Sequence, residues 1–353
     1  MHATLDADGR TVRLDGNARQ RFYDSRGYGR PTGGNGLELA PVEAAHLLQR
    51  GDLDSVDFEG RPLDFRAFLA TTGVVLEFVV YKDLRDRGFY LSPAGRADET
   101  ERASDVDFVV YPRGSGPWDD EVAHRVRVVG EREPLSPRAL GDVVLAVVDE
   151  DGDLTYFETT HDAPGGTLDA DPPRELEGTL LADRVLVWEP PETLYEGHFY
   201  GQRLYGRNAD AGPLQLSLLE AASLVRQDAL AVTDASGEPM ADDSAVVARG
   251  REVEGDRFDR RLRTYTALRD EGGVPKSGFK FGADFRVYET FSTVSDLSHS
   301  DSLVRVLDLD HTVLPRELSL DVRLAGGVRK RMVFALTDAN GGVDWLSVAR
   351  LTP

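Results

Sequence analysis

Lys280-Phe281-Gly282-Ala283-Asp284-Phe285-Arg286-Val287-Tyr288 is the stretch from which the organisation of this chain is read. Its last five residues alternate as a strand does: Phe285 and Val287 face one way, Asp284, Arg286 and Tyr288 the other. The same pattern stands earlier as Asp107-Phe108-Val109-Val110-Tyr111, an offset of 177 residues. Further echoes share that offset. Tyr28-Gly29-Arg30 recurs as Tyr205-Gly206-Arg207, Leu37-Glu38-Leu39 as Leu214-Gln215-Leu216, and Glu43-Ala44-Ala45 as Glu220-Ala221-Ala222. Tyr81-Lys82-Asp83-Leu84-Arg85-Asp86 is echoed by Tyr265-Thr266-Ala267-Leu268-Arg269-Asp270. So long a period means a duplication and not a short-period solenoid.

The seam falls between Thr159 and Gly178, where His161-Asp162-Ala163-Pro164-Gly165-Gly166 and Asp171-Pro172-Pro173 mark a loop. The expected fold is α+β, two tandem repeats, each a small N-terminal α/β unit plus a mixed-sheet C-terminal unit. The predicted boundaries are 1–75 and 76–160 for the first repeat, a linker over 161–178, then 179–254 and 255–353. Pro41 opens a helix that Gly51 stops, and Ser217 with Glu220 three residues on makes a capping-box pattern. Phe258, Leu262, Tyr265 and Leu268 fall on one face of a helix ending near Gly272-Gly273. Strands are predicted at 284–288, 303–307, 332–336 and around Trp345, a helix from Pro315 to about Val328, and a turn at 338–342. Terminal strands at 154–157 and 343–348 are expected to pair edge to edge between units.

Composition narrows the class. The 353 residues carry a formal charge of −21 and no cysteine, which excludes disulfides, thiolate zinc sites and cysteine nucleophiles. No apolar run is long enough to cross a bilayer and no signal pattern opens the chain, so a cytoplasmic protein is expected. Only four of the 41 basic residues are lysine (Lys82, Lys276, Lys280 and Lys330), a balance that resembles proteins of extreme halophiles. In molar salt the Debye length is about 3 Å, so such a charge repels even a polyanion weakly. From Asp256 onward 15 basic residues face 14 acidic ones, against 26 and 48 before it. The C-terminal segment is the part free of acidic excess, as phosphate contact requires.

Taken singly, the candidate residues have ordinary explanations. A tyrosine on a strand is usually packing, a histidine before serine is usually surface, and Arg329-Lys330-Arg331 after a helix complements its dipole. Gly27-Tyr28-Gly29 and Gly33-Gly34 lack the spacing and the preceding strand of a dinucleotide loop. The seven histidines form no metal-ligand pattern, and no cofactor is expected.

The stretch from Lys276 to Lys330 resembles the catalytic region of archaeal tRNA-splicing endonucleases, in the class with two fused repeats per chain. The matching motifs are Gly278-Phe279-Lys280-Phe281-Gly282-Ala283-Asp284-Phe285-Arg286-Val287-Tyr288, then His299-Ser300, then Val328-Arg329-Lys330. The resemblance implies a nuclease-like C-terminal unit with Tyr288, His299 and Lys330 as a catalytic triad. It implies 2′-hydroxyl attack on the adjacent phosphate, giving a 2′,3′-cyclic phosphate and a 5′-hydroxyl without metal. His299 would protonate the leaving oxygen, Lys330 would stabilise the five-coordinate phosphorus, and Tyr288 would take the proton with help from a nearby cation. Arg329, Arg331 and Lys280 would hold the RNA backbone, while Arg323 and Trp345 would clamp a flipped-out bulge base.

The implied substrate is precursor tRNA with a bulge-helix-bulge, the implied assembly a homodimer, and neither membrane nor DNA is expected. The loop Asp149-Glu150-Asp151-Gly152-Asp153 corresponds to one that docks in a basic groove of the partner. In the first repeat Tyr111 aligns with Tyr288 and His124 loosely with His299, but Asp142 stands where positive charge is needed, so that repeat is expected to be inactive. The rival reading is a non-catalytic RNA-binding subunit of the same architecture.

Overall fold

The computed structural model describes residues 2–94, 106–119, 121–206, 211–337 and 341–353. Arg207 and most of the turn expected at 338–342 lie outside them. In the first repeat β1 (Ala3–Leu5), β2 (Val12–Leu14), β3 (Arg30–Pro31), β4 (Leu37–Leu39), β5 (Val56–Phe58) and β6 (Arg61–Leu63) form one sheet, with α1 (Pro41–Gln49) and α2 (Phe65–Thr72). There follow α3 (Val75–Asp86), β7 (Leu91–Pro93), β8 (Phe108–Val110), β9 (His124–Gly130), β10 (Val144–Val148) and β11 (Leu154–Thr160). The second repeat begins with β12 (Leu176–Leu180), β13 (Arg184–Val187), α4 (Glu192–Glu196), β14 (Gln202–Arg203), β15 (Leu214–Ser217), α5 (Leu218–Arg226), β16 (Leu230–Thr233) and α6 (Ser244–Glu254). It ends with α7 (Arg257–Asp270), β17 (Val274–Ser277), β18 (Phe285–Tyr288), β19 (Ser302–Asp308), α8 (Pro315–Gly327), β20 (Arg331–Thr337) and β21 (Val343–Leu351).

The duplication extends to individual hydrogen bonds. Glu43, at the start of α1, accepts the Ala40 and Gly29 N–H groups, each at 2.7 Å. Glu220, at the start of α5, accepts those of Ser217 at 2.8 Å and Gly201 at 2.9 Å, and Ser217 Oγ in turn accepts Glu220 N–H. Both glycines have left-handed φ, and a Cβ on either would strike the carbonyl oxygen of Glu38 or Gln215. Arg85 lies 4.4 Å over the Tyr28 ring, and Arg269 lies 4.1 Å over Tyr200.

These contacts correct one sequence echo. The counterpart of Tyr28-Gly29 is Tyr200-Gly201, because β3 pairs with β4 as β14 pairs with β15. Tyr205 resembles Tyr28 only in spelling: it is 73% exposed, whereas Tyr28 is 1% exposed.

A second difference concerns the mixed sheets. They were expected as one per repeat, but they form a single ten-stranded sheet in the order β17-β18-β19-β20-β21-β11-β10-β9-β8-β7. The expected edge pairing makes the join. Antiparallel β11 and β21 meet with Thr159 opposite Val348, and Tyr156 opposite Leu351. Outward from that seam each half repeats one pattern, with β9 parallel to β10 and β19 parallel to β20. Thr159 and Val348 hold equivalent places in their halves, so a pseudo-two-fold axis passes through this pair. The halves differ in the connection before β10 and β20. The second uses α8; the first uses only a short turn, Pro137–Ala139. Leu318, Val322 and Ala325 of α8, with Leu135 and Leu140 of the first repeat, close one common face of the sheet.

A buried ion pair ties the two units of the second repeat together. Lys276 Nζ lies 2.6 Å from Glu220 Oε1 and donates to the Gly201 and Phe199 carbonyls at 2.9 and 3.2 Å. Burial alone would raise the Glu220 carboxyl, but Lys276 and the two backbone N–H groups override it and hold it below the usual carboxylate range. Its contribution is therefore present above the unfolded-state pKa and lost as pH falls through the lower folded value. Lys276→Met, which strands a buried carboxylate, is expected to cost about 3–5 kcal/mol. Lys276→Met with Glu220→Met is expected to recover part of that loss, as read from denaturant midpoints at matched salt.

Candidate active site

Strand direction places the candidate residues. Because β18 is antiparallel to β19 while β20 is parallel to it, the C-terminal end of β18 and the N-terminal ends of β19 and β20 share one sheet edge. Tyr288 closes β18, His299 precedes β19, and Lys330 precedes β20. All three line one cleft of about 710 Å³, with Arg286, Phe281 and Glu196 among the other walls.

Lys330 is placed by the turn that ends α8. Its N–H donates to the Ala325 carbonyl at 2.9 Å, and Arg329 takes a left-handed φ of 55°. The ammonium then donates to the Ser300 carbonyl and sits 5.7 Å from the Phe281 ring centre. Burial pushes its pKa below the ordinary lysine value; Asp301 works against this and Arg286 adds to it. Tyr288 is buried against Phe199, whose ring centre is 5.8 Å away, and Arg286 Cζ lies 5.6 Å from the Tyr288 ring centre. His299 is exposed. Its loop is tied to the N-terminal unit by Ser295 N–H donating to Glu196 Oε2 at 2.9 Å and Val294 N–H to the Glu196 carbonyl at 3.0 Å.

The remaining expected residues divide. Lys280, Arg323 and Arg329 are exposed. Arg331 is committed to Glu289 at 2.8 Å, which also accepts from Ser302 Oγ, so its guanidinium links the ends of β18, β19 and β20. Arg323 stands on the outer side of α8, which covers one face of the sheet, whereas half-buried Trp345 packs with the core under α7 on the other. One chain therefore does not stack the two against each other. Asp149 to Asp153 form the turn between β10 and β11. Asp149 accepts the Asp151 and Asp153 N–H groups at 3.0 and 2.9 Å, and Glu150 lies 2.7 Å from Arg132.

The first repeat departs from expectation in two details. His124 stands opposite Val110 as Ser302 stands opposite Val287, so it matches Ser302 and not His299. Counting back along the paired strands, Gly141 and not Asp142 holds the Lys330 register; Asp142 holds that of Arg331. A side chain at 141 would have to displace the His161 ring, because a Cβ there would lie 1.6 Å from its Nε2. Tyr111 donates to Ser92 Oγ at 2.9 Å. The inference that this half lacks the lysine stands, with a stronger cause.

Arg286 and Glu196 were not singled out from sequence. Alternation on β18 puts Arg286 on the Tyr288 face and could have found it. Nothing local marks Glu196. Among the described residues no group of three or more His, Asp or Glu could hold a metal ion, and no helix is long and apolar enough to cross a membrane.

Residues 258–345 match the family model for the tRNA intron endonuclease catalytic C-terminal domain, and residues 1–69 and 176–245 match that for the N-terminal domain. The chain is 66% identical over 347 residues to a tRNA-splicing endonuclease of Haloferax volcanii, covering 97% of each. It is 56% identical over 355 residues to that of Haloarcula marismortui, covering 100% of each. With that of Methanosarcina mazei it shares 38% over 347 residues, covering 94% of this chain and 93% of the other. The haloarchaeal relatives agree with the acidic, lysine-poor composition.

Removing the Arg286 charge by Arg286→Gln is expected to raise the Lys330 pKa, and Asp301→Asn to lower it further. With four lysines in the chain, NMR titration of ¹³C-dimethylated lysine resolves the two shifts.

Proposed function

This chain belongs to the tRNA-splicing endonuclease family, and we propose that it excises introns from precursor tRNA at the two bulges of a bulge-helix-bulge, using the cleft of its second repeat. The observation that carries this reading is the convergence of Tyr288, His299 and Lys330 on one cleft.

The chemistry follows from what each group can exchange. The 2′-hydroxyl and the phosphorus it attacks share one nucleotide, so the protein's task is in-line geometry and proton management. Tyr288, as phenolate, takes the 2′-hydroxyl proton while the 2′-oxygen bonds to phosphorus. Arg286 beside the ring and Lys330 in the same cleft are the cations nearest that step. Lys330 offsets the added negative charge of the five-coordinate phosphorus. The bond from phosphorus to the 5′-oxygen then breaks as the His299 imidazolium donates its proton, leaving a 2′,3′-cyclic phosphate and a 5′-hydroxyl. Imidazole is the side chain suited to proton exchange near neutral pH. Exposure of His299 leaves it reachable by a leaving group.

Two cuts call for two such clefts, which a homodimer supplies. We assign the acidic turn 149–153 to a groove on the partner. A cleft of about 590 Å³ between the two units of the second repeat supports this, with Arg184, Arg261, Lys276 and Arg286 in its walls beside Asp183, Glu220 and Glu254. Arg323 and Trp345, on opposite sides of the sheet, are assigned as separate contacts to bulge bases. Lys280 and Arg329 remain as backbone contacts.

Lys330→Ala is expected to slow cleavage at least 10²-fold with RNA binding retained, and His299→Ala to lose roughly 10²- to 10⁴-fold. A 2′-deoxy substitution at the scissile nucleotide should block the reaction, and chelators should not. Ends bearing 5′-phosphate, or an active Lys330→Ala enzyme, would exclude the mechanism. For the assembly, lysine at positions 149, 150, 151 and 153 together is expected to convert dimer to monomer in sedimentation at fixed salt.

A further inference from the structure

Phe279 is 87% exposed, more than any other large apolar side chain among the described residues. It opens a short 3-10 turn, Phe279–Phe281, held by Phe281 N–H to the Gly278 carbonyl at 2.8 Å and closed by Gly282 at φ +71°. A Cβ on Gly278 would lie 2.7 Å from the Ala283 carbonyl oxygen, so the turn is tightly built. Its two rings enter different spaces. Phe281 lines the catalytic cleft, under Lys330. Phe279 lines a neighbouring cleft of about 540 Å³ with Arg257, Arg260, Arg305 and His311. Arg257 and Arg305 are paired with Asp284 and Asp321, at 2.6 and 2.5 Å. Arg260, 3.8 Å from Asp308 and with an unpartnered buried Nε, and exposed Lys280 are the less committed cations.

The placement distinguishes the active half. In the first repeat the segment 94–107, between the strands equivalent to β17 and β18, contains no aromatic residue. An apolar ring held on a rigid turn in water, beside cations and next to the catalytic cleft, suits a nucleobase. Such rings take any unstacked base on a π face.

We propose that Phe279 is a stacking platform for an unstacked bulge base of the RNA strand that enters the catalytic cleft, with Lys280 and Arg260 against its backbone. The proposal rests on that cleft being the RNA-cleaving site. A single ring among charged groups falls far short of the roughly 1,000 Å² that a contact between protein copies needs.

The test uses the full chain and a bulge-helix-bulge RNA carrying 2′-deoxyribose at both scissile positions, so that binding is read without cleavage. Phe279→Ala, expected to keep the wild-type thermal midpoint, should weaken Kd about 5- to 150-fold, and Phe279→Trp should restore it. Replacing bulge nucleotides one at a time by abasic sites should reveal one position where RNA change and Phe279→Ala together lose no more than either alone. Unchanged affinity, or weakening with no such position, overturns the proposal. So does loss of the dimer in sedimentation, which would make Phe279 a contact between copies. Cleavage by Lys330→Ala at the wild-type rate would instead overturn the reading of the cleft, a separate result on a separate substrate.

Discussion

The structure depends on the direction of three adjacent strands. Antiparallel β18 and parallel β20 flank β19, which brings one strand end and two strand beginnings to the same edge. A parallel neighbour cannot be reached by a hairpin, so the chain must cross over, and α8 is that crossover. The crossover decides where Lys330 stands. α8 closes on its Leu318, Val322 and Ala325 face, and the left-handed Arg329 turns the next side chain into the cleft. A residue at φ > 0 without being glycine is uncommon, and here it directly precedes Lys330, whose side chain lines the cleft.

The same sheet joins the two halves. Pairing of β11 with β21 fuses two copies of one unit about a pseudo-two-fold axis, so the first repeat gives the second a partner for its edge. The first copy has a short turn in place of the crossover helix, and the His161 ring stands against Gly141. Its Leu135 and Leu140 help bury the face that α8 covers. The first repeat is thus part of the wall behind the second.

Charge is used sparingly where it matters. Of the four lysines, one is sealed in the pair with Glu220 and one stands in the cleft. Lysine is a compact charge whose pKa moves with its surroundings, whereas arginine stays charged. The cleft uses both, Lys330 beside Arg286, in a segment that lacks the acidic excess of the rest of the chain. High salt then shortens the reach of the distant carboxylates without removing contacts inside the cleft.

The amino-acid order by itself determined the local elements. Capping at Glu43 and Glu220, the apolar face of α7, the proline opening α8 and the alternation on β18 are short-range patterns, and each appears where periodicity puts it. The candidate residues Tyr288, His299 and Lys330 stood out through motif spelling, and their meeting in one cleft is what the fold adds. Tertiary structure alone decided that Tyr200 and not Tyr205 answers Tyr28, and that His124 and Gly141 take the registers they do. It also decided that Trp345 and Arg323 lie on opposite faces, and that Glu196 from another unit anchors the His299 loop. The physical reason is range. Burial and capping are set by residues three or four apart, but register, strand direction and the far side of a sheet are set by neighbours distant along the chain.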